Sequence, residues 1–193
     1  MAKKKALIGF SNLGVIDDVT DEFDEYSAAG EKTSLVGAYS CSPTDNKPEY
    51  TIPADDGNYD EGAEWEDTDI DIDVREMELK NLAKMSGAEF DTTEDLQEEG
   101  TFDDPVPLAL TFASLRRDQG YRLFRYYVCK LMSYSVSHQT KGESADVQNY
   151  TLHIKCLPRK VDNKIRGTKD IAKGAALTWL NTIPGVTKTP PTP

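Results

Sequence analysis

Asp67, Asp69, Asp71 and Asp73 occupy every second position of the stretch Asp67-Thr68-Asp69-Ile70-Asp71-Ile72-Asp73-Val74-Arg75. Carboxylates at that spacing can ligate a hard cation from a loop, or they can line one face of a β-strand. The loop reading has some support. Counted from Asp67, acids fall at the first, third, fifth and seventh positions of an EF-hand-like pattern, and Glu78 falls at the twelfth. It fails at the sixth position. Ile72 stands where the sharp turn of such a loop needs glycine, and no amphipathic helix precedes it in residues 59–66. The strand reading accounts for the other half of the pattern. Thr68, Ile70, Ile72 and Val74 point away from the aspartates and are β-branched, which suits a pleated, half-buried surface. Aspartate is a poor strand former, so the acidic row runs against local propensity.

The remaining chemistry is sparse. The two histidines, His138 and His153, have no acid or nucleophile at a useful local spacing. Ser144 follows Gly142-Glu143 but lacks the second glycine of a nucleophile elbow, and there is no phosphate-binding glycine loop. Cys41, Cys129 and Cys156 are odd in number and widely spaced within strand-like runs. They read as small buried apolar residues in a reduced environment, neither a disulfide frame nor a zinc site. No enzyme activity, cofactor or metal is expected.

A net charge of −12 argues against holding duplex phosphate by simple attraction. The charge is also polarised. Residues 1–104 carry 29 acids and 8 bases, and residues 105–193 carry 5 acids and 14 bases. Such halves can compensate within one fold, or bring copies of the chain together. The basic start at Lys3-Lys4-Lys5 precedes too short an apolar run for a signal peptide or membrane span, so a cytoplasmic product is expected.

The elements that must hold the aspartates are mostly strands: Ala6 to Phe10, Thr33 to Ser42, Val106 to Phe112, a sixteen-residue run from Tyr121 to Val136, and Asn149 to Leu157. Residues 11–32 read as loop or edge strand, and residues 88–104 as an acidic loop. Gly120 is expected to supply a positive φ at the 116–120 turn. One short helix spans Met77 to Ser86, with Leu79, Leu82, Ala83 and Ser86 on one face and Gly87 closing it. Residues 43–66 contain Pro43, Pro48, Pro53, Gly57 and Gly62 and read as a long connection without regular structure, whose Tyr50, Tyr59 and Trp65 suggest docking. From Pro158 the chain reads as basic and irregular. Ala175 to Leu180 forms an apolar patch that packs on the core or on a neighbour.

This order of elements, with the Ala54-Asp55-Asp56-Gly57-Asn58-Tyr59 loop, the helix ending at Gly87 and the Gln139-Thr140-Lys141-Gly142-Glu143-Ser144 segment, resembles the major tail proteins of long-tailed bacteriophages of Gram-positive hosts. The resemblance spans about residues 6 to 168. It implies a mainly β, sandwich- or barrel-like tail tube domain over residues 1–168 with one short helix and long loops, and a C-terminal extension over 169–193. It further implies hexameric rings stacked into a tube through which DNA passes. Strands around 34–42, 67–75, 122–136 and 148–157 would form the inner barrel. Asp69, Asp71, Asp73, Asn149, Thr151, His153 and Lys155 would face the lumen, with Lys155 and Arg125 softening its charge. Tyr50, Asp55, Asp56, Tyr59, Trp65 and Trp179 would meet neighbouring subunits or rings. The implied partners are further copies, a tape measure protein, tail tip and terminator proteins, and duplex DNA in transit, with no membrane; the implied location is the virion. The alternative is a monomeric intracellular β-rich module that holds a protein partner in its 43–66 loop.

Overall fold

Alternation of apolar and polar residues drives nearly every element. The computed structural model describes residues 5–54, 57–138 and 149–188. In chain order the strands are β1 (Leu7–Ile16), β2 (Val19–Asp21), β3 (Glu25–Ala28), β4 (Lys32–Ser34), β5 (Ala38–Asn46), β6 (Glu49–Ala54), β7 (Gly57–Ala63) and β8 (Asp67–Val74). The helix α1 (Leu79–Ser86) follows, then β9 (Glu89–Asp91), β10 (Leu96–Glu98), β11 (Leu108–Arg116), β12 (Tyr121–Val136), β13 (Tyr150–Leu157) and β14 (Arg166–Ile171). A 3-10 turn at Thr178–Leu180 and β15 (Ile183–Thr187) are the last described elements. Among the described residues the protein is mainly β with a single short helix, as expected.

One antiparallel sheet runs in the order β4-β1-β11-β12-β13-β8-β5. β14 joins the edge of β12 that β13 leaves free, pairing Tyr121–Tyr126 with Ile171–Arg166. A small sheet, β15-β3-β2, and two hairpins, β6-β7 and β9-β10, stand apart. Among the described residues the long sheet does not close into a barrel within one chain.

Two β-bulges let β12 remain one strand for sixteen residues. Pairing with β11 shifts between Tyr126 and Cys129, and pairing with β13 shifts between Leu131 and Ser133. Each bulge moves the inward phase by one residue, from Phe124 and Tyr126 to Cys129 and Leu131, then to Tyr134. An unbroken period of two from Phe124 and Tyr126 would put Met132 inward; it is instead the extra residue of the second bulge and is 60% exposed.

The main core lies on one face of the sheet and gathers Ile70, Ile72, Val74, Leu110, Phe112, Leu152 and Ile154 with Leu82 and Met85 of α1. Burying each large aliphatic side chain is worth about 1.5–3 kcal/mol. Three of them on β8 outweigh the unfavourable propensity of the aspartates between them, on a scale that spans about 1 kcal/mol. The opposite face of β11 and β12 is also covered. Ile16, Tyr26, Ala109, Val128 and Ile183 form a second cluster, and Ala113, Leu123 and Leu180 a third.

Several expectations need correction. Residues 11–32 are the second half of β1 plus β2, β3 and β4, and bury Leu13, Val15, Ile16 and Tyr26. Residues 43–66 continue β5 through Pro43 and then form the β6-β7 hairpin. Pro43 is tolerated because β5 is an edge strand. The acidic loop contains the β9-β10 hairpin, and the region after Pro158 supplies β14 and β15. On α1, Leu79 is 40% exposed and Met85 takes its expected place in the core. Gly87 caps the helix as expected, with φ 78° and its N–H donating to the Ala83 carbonyl. At the 116–120 turn the positive φ, 67°, falls on Gln119. Gly120 is needed for another reason: a Cβ there would collide with the Ile171 carbonyl and Arg116. Cys129 and Cys156, directly opposed on β12 and β13, are joined as a disulfide, so only Cys41 is free. Sequence spacing hid this pair because 27 residues separate cysteines that the register places side by side. Burial pushes the Cys41 thiol up to about 12, consistent with the inert apolar role expected of it.

Candidate functional site

β5, β8, β13 and the C-terminal half of β12 form a four-stranded surface with an apolar face on the core and a polar face outward. The register fixes the polar face in three rows. Ser40, Asp73, Thr151 and Ser135 lie level; so do Ser42, Asp71, His153 and Ser133, and then Thr44, Asp69, Lys155 and Lys130. The three aspartates therefore run down the middle of a wholly polar face.

Their neighbours hold them in place. Ser40 Oγ donates to Asp73 Oδ2 at 2.6 Å, and Thr151 Oγ1 donates to Asp73 Oδ1 at 2.8 Å. His153 Nδ1 lies 2.6 Å from Asp71 Oδ1. Alternate carboxylates on one strand sit about 7 Å apart and repel by about 0.6 kcal/mol in water. Hydroxyl hydrogen bonds worth about 1 kcal/mol each offset that repulsion.

The cations near this face are largely committed elsewhere. Lys155 Nζ bridges Asp67 at 3.0 Å and reaches Asp69 only at 4.0 Å. Its hydrogen bond to Asp67 raises its pKa, so it stays charged. Asp67 differs from the rest of its row: it is 4% exposed, and its Oδ1 has no hydrogen-bond partner among the described residues. Lys130 pairs with Asp104 at 3.2 Å. Arg125, expected to soften this face, points away from the main core as the aspartates do, but it lies beneath the C-terminal segment, where it is buried over the Trp179 ring at 3.6 Å and donates to the Trp179 and Thr182 carbonyls. The exposed face is thus more acidic than the expected inventory implied.

Both margins of this four-stranded surface lack a strand partner among the described residues, and the 99–105 segment lies against the β12 margin through Asp104 on Lys130 and Glu99 on Tyr134. No described strand pairs the outer edge of β5. β11 leaves β12 at Cys129, so Lys130–Val136 have a partner only on the β13 side. Strand directions alternate from β12 to β5, so the β5 edge of one copy could continue the sheet antiparallel to the β12 edge of another.

Six of the seven residues expected on the lumen face share this surface: Asp69, Asp71, Asp73, Thr151, His153 and Lys155. Asn149 lies just before β13, half-buried, and its carbonyl accepts the Ser137 N–H. The residues expected at contacts with neighbours scatter. Tyr50 is exposed on β6. Trp65 is half-buried against the main core, where its indole donates to the Asp67 carbonyl and Thr68 Oγ1 and its ring is flanked by Lys47 and Arg166. Trp179 packs on its own core beside Leu123 and Leu180. Tyr59 belongs to β7, while Asp55 and Asp56 lie outside the described residues. Ser40, Ser42, Thr44, Ser133 and Ser135 complete the polar face and were not foreseen. Their signal was a period-two run of hydroxyls, masked on β5 by Pro43 and on β12 by the bulge at Met132.

No family model and no curated protein matches the chain.

Proposed function

We propose that this chain is a structural subunit of a bacteriophage tail tube, six copies closing into a ring and rings stacking into a hollow conduit for DNA. The observation that carries this reading is the four-stranded surface whose outer face is lined by Asp69, Asp71 and Asp73 and whose two margins are open. Joining margin to margin continues one sheet from copy to copy and leaves no exposed edge, as barrel closure requires. Six copies contribute about 24 strands; at about 4.8 Å spacing and about 40° tilt these give a ring about 48 Å across at the backbone. After side chains are subtracted, the bore admits a duplex. Carboxylates on that bore repel phosphate, so DNA meets no adhesive contact in transit.

The partners under this reading are further copies, a tape measure protein within the bore, and tip and terminator proteins at the two ends; the location is the virion. The β6-β7 hairpin pairs with no other described strand, which suits an arm reaching to the next ring. The same observation favours a second reading, a monomeric module that docks a protein partner on that arm. Negative-stain electron microscopy of the concentrated protein separates the two. The tube reading expects rings or hollow tubes. A strictly monomeric protein that captures a partner through residues 49–63 supports the module.

A further inference from the structure

Some of the large apolar side chains that stay exposed stand at or next to the two unpaired margins. On the β12 side, Met132 is 60% exposed, and Phe102 is 98% exposed in the neighbouring loop. Phe102 does not stand out through slackness. Its turn is closed by the Asp103 N–H on the Gly100 carbonyl and by the Gly100 N–H on Asp103 Oδ2 at 2.8 Å. The loop is tied to β12 by Asp104 on Lys130 and by Glu99, which accepts from the Tyr134 hydroxyl. On the β5 side, Val36 is 69% exposed in the turn before the strand and Tyr39 is 44% exposed at its bulge, held under Arg75 at 5.2 Å. Ordered apolar residues that stay exposed beside an unpaired strand edge mark an association surface.

We infer that Met132 and Phe102 on one margin and Tyr39 and Val36 on the other form the apolar seam of a head-to-tail contact between copies of this chain. The inference rests on the tube reading and adds to it which residues decide the contact. A second copy is the occupant because the two margins complement each other. One offers the antiparallel edge that the other lacks, and each of the two edge strands carries a bulge whose extra residue, Met132 or Tyr39, is apolar and exposed. The two patches differ in sequence, so the contact is heterologous and propagates in one direction until it closes.

Sedimentation velocity on the full chain tests this with Met132→Glu, Tyr39→Glu and, away from both margins, Phe23→Glu, a residue 75% exposed near Lys160. Far-ultraviolet circular dichroism checks that each variant is folded, which their exposure favours, and Phe102→Glu serves as a second β12-side variant. Met132→Glu and Tyr39→Glu should each abolish ring formation, while Phe23→Glu assembles like the wild type. Mixing the two margin variants should then give one-to-one dimers and nothing larger, because each retains the margin that the other has lost. Rings from either margin variant at the wild-type concentration overturn the inference and leave the tube reading standing. Equal loss of assembly in Phe23→Glu, or no dimer in the mixture after chemical cross-linking, also overturns it. A wild type that stays monomeric throughout defeats the inference and the tube reading together.

Discussion

The two halves of β12 are one strand in two environments. From Tyr121 to Tyr126 it has β11 on one edge and β14 on the other, with packed clusters against both faces. From Lys130 to Val136 it has one partner, one open edge and one wet face. The first half is an interior of the molecule. The second belongs to a surface that is complete only when something continues it. Bulges mark the change, because each one resets which side chains face the core.

Substitutions can break or sharpen that contrast. The largest effect belongs in the closed half: Tyr126→Ala removes a fully buried ring that stacks near Phe112 and should cost about 3–5 kcal/mol in urea unfolding. A cost below 1 kcal/mol would show that the main core does not depend on this half. Leu180→Ala should cost about 2–4 kcal/mol, because Leu180 seals the outer face over Ala113 and Leu123. An unchanged melting temperature would reduce the C-terminal segment to a dispensable extension.

Electrostatics gives a smaller effect. Asp170 accepts both Arg122 nitrogens at 2.7 and 3.0 Å and faces Arg116 and Lys5. The Arg122 hydrogen bonds, first among these causes, hold its carboxyl at about 2. That lies below the unfolded value near 4, so the pairing stabilises the fold above about pH 4 and its contribution fades as pH falls from about 4 to about 2. Asp170→Asn should therefore cost about 1 kcal/mol at neutral pH, and the cost should shrink as pH falls from about 4 through about 2. A cost that grows with acidity would contradict the assignment.

The open half should be nearly silent in stability. Replacing Asp69, Asp71 and Asp73 together with Asn loses charge at Asp73's two hydroxyl partners but relieves repulsion along the row, so unfolding should shift by less than about 1 kcal/mol. Assembly should persist while DNA release from reconstituted particles slows. Loss of assembly instead would make the row an interface.

The strand carrying the aspartates was legible because its alternation is unbroken from Asp67 to Val74, and β13 was legible for the same reason. Their pairing, and so the meeting of Asp71 with His153, was not, since register is a tertiary fact decided by both strands. Glycine and proline density concealed the β6-β7 hairpin, charge concealed β14, and Pro184-Gly185 concealed β15. Period two cannot survive a bulge, which is why Met132 read as core. Arg125 and Trp179 were each visible as residues, but their stacking depends on a crossing between β12 and a turn more than fifty residues later.

The most direct test of the account is an electron cryomicroscopy reconstruction of the assembled protein that resolves strand direction and side chains in one subunit. The account predicts a continuous sheet passing from β12 of one copy to β5 of the next, with Asp69, Asp71 and Asp73 turned to the bore. A ring in which that acidic face lies on the outside, or in which copies meet away from both open margins, would contradict it.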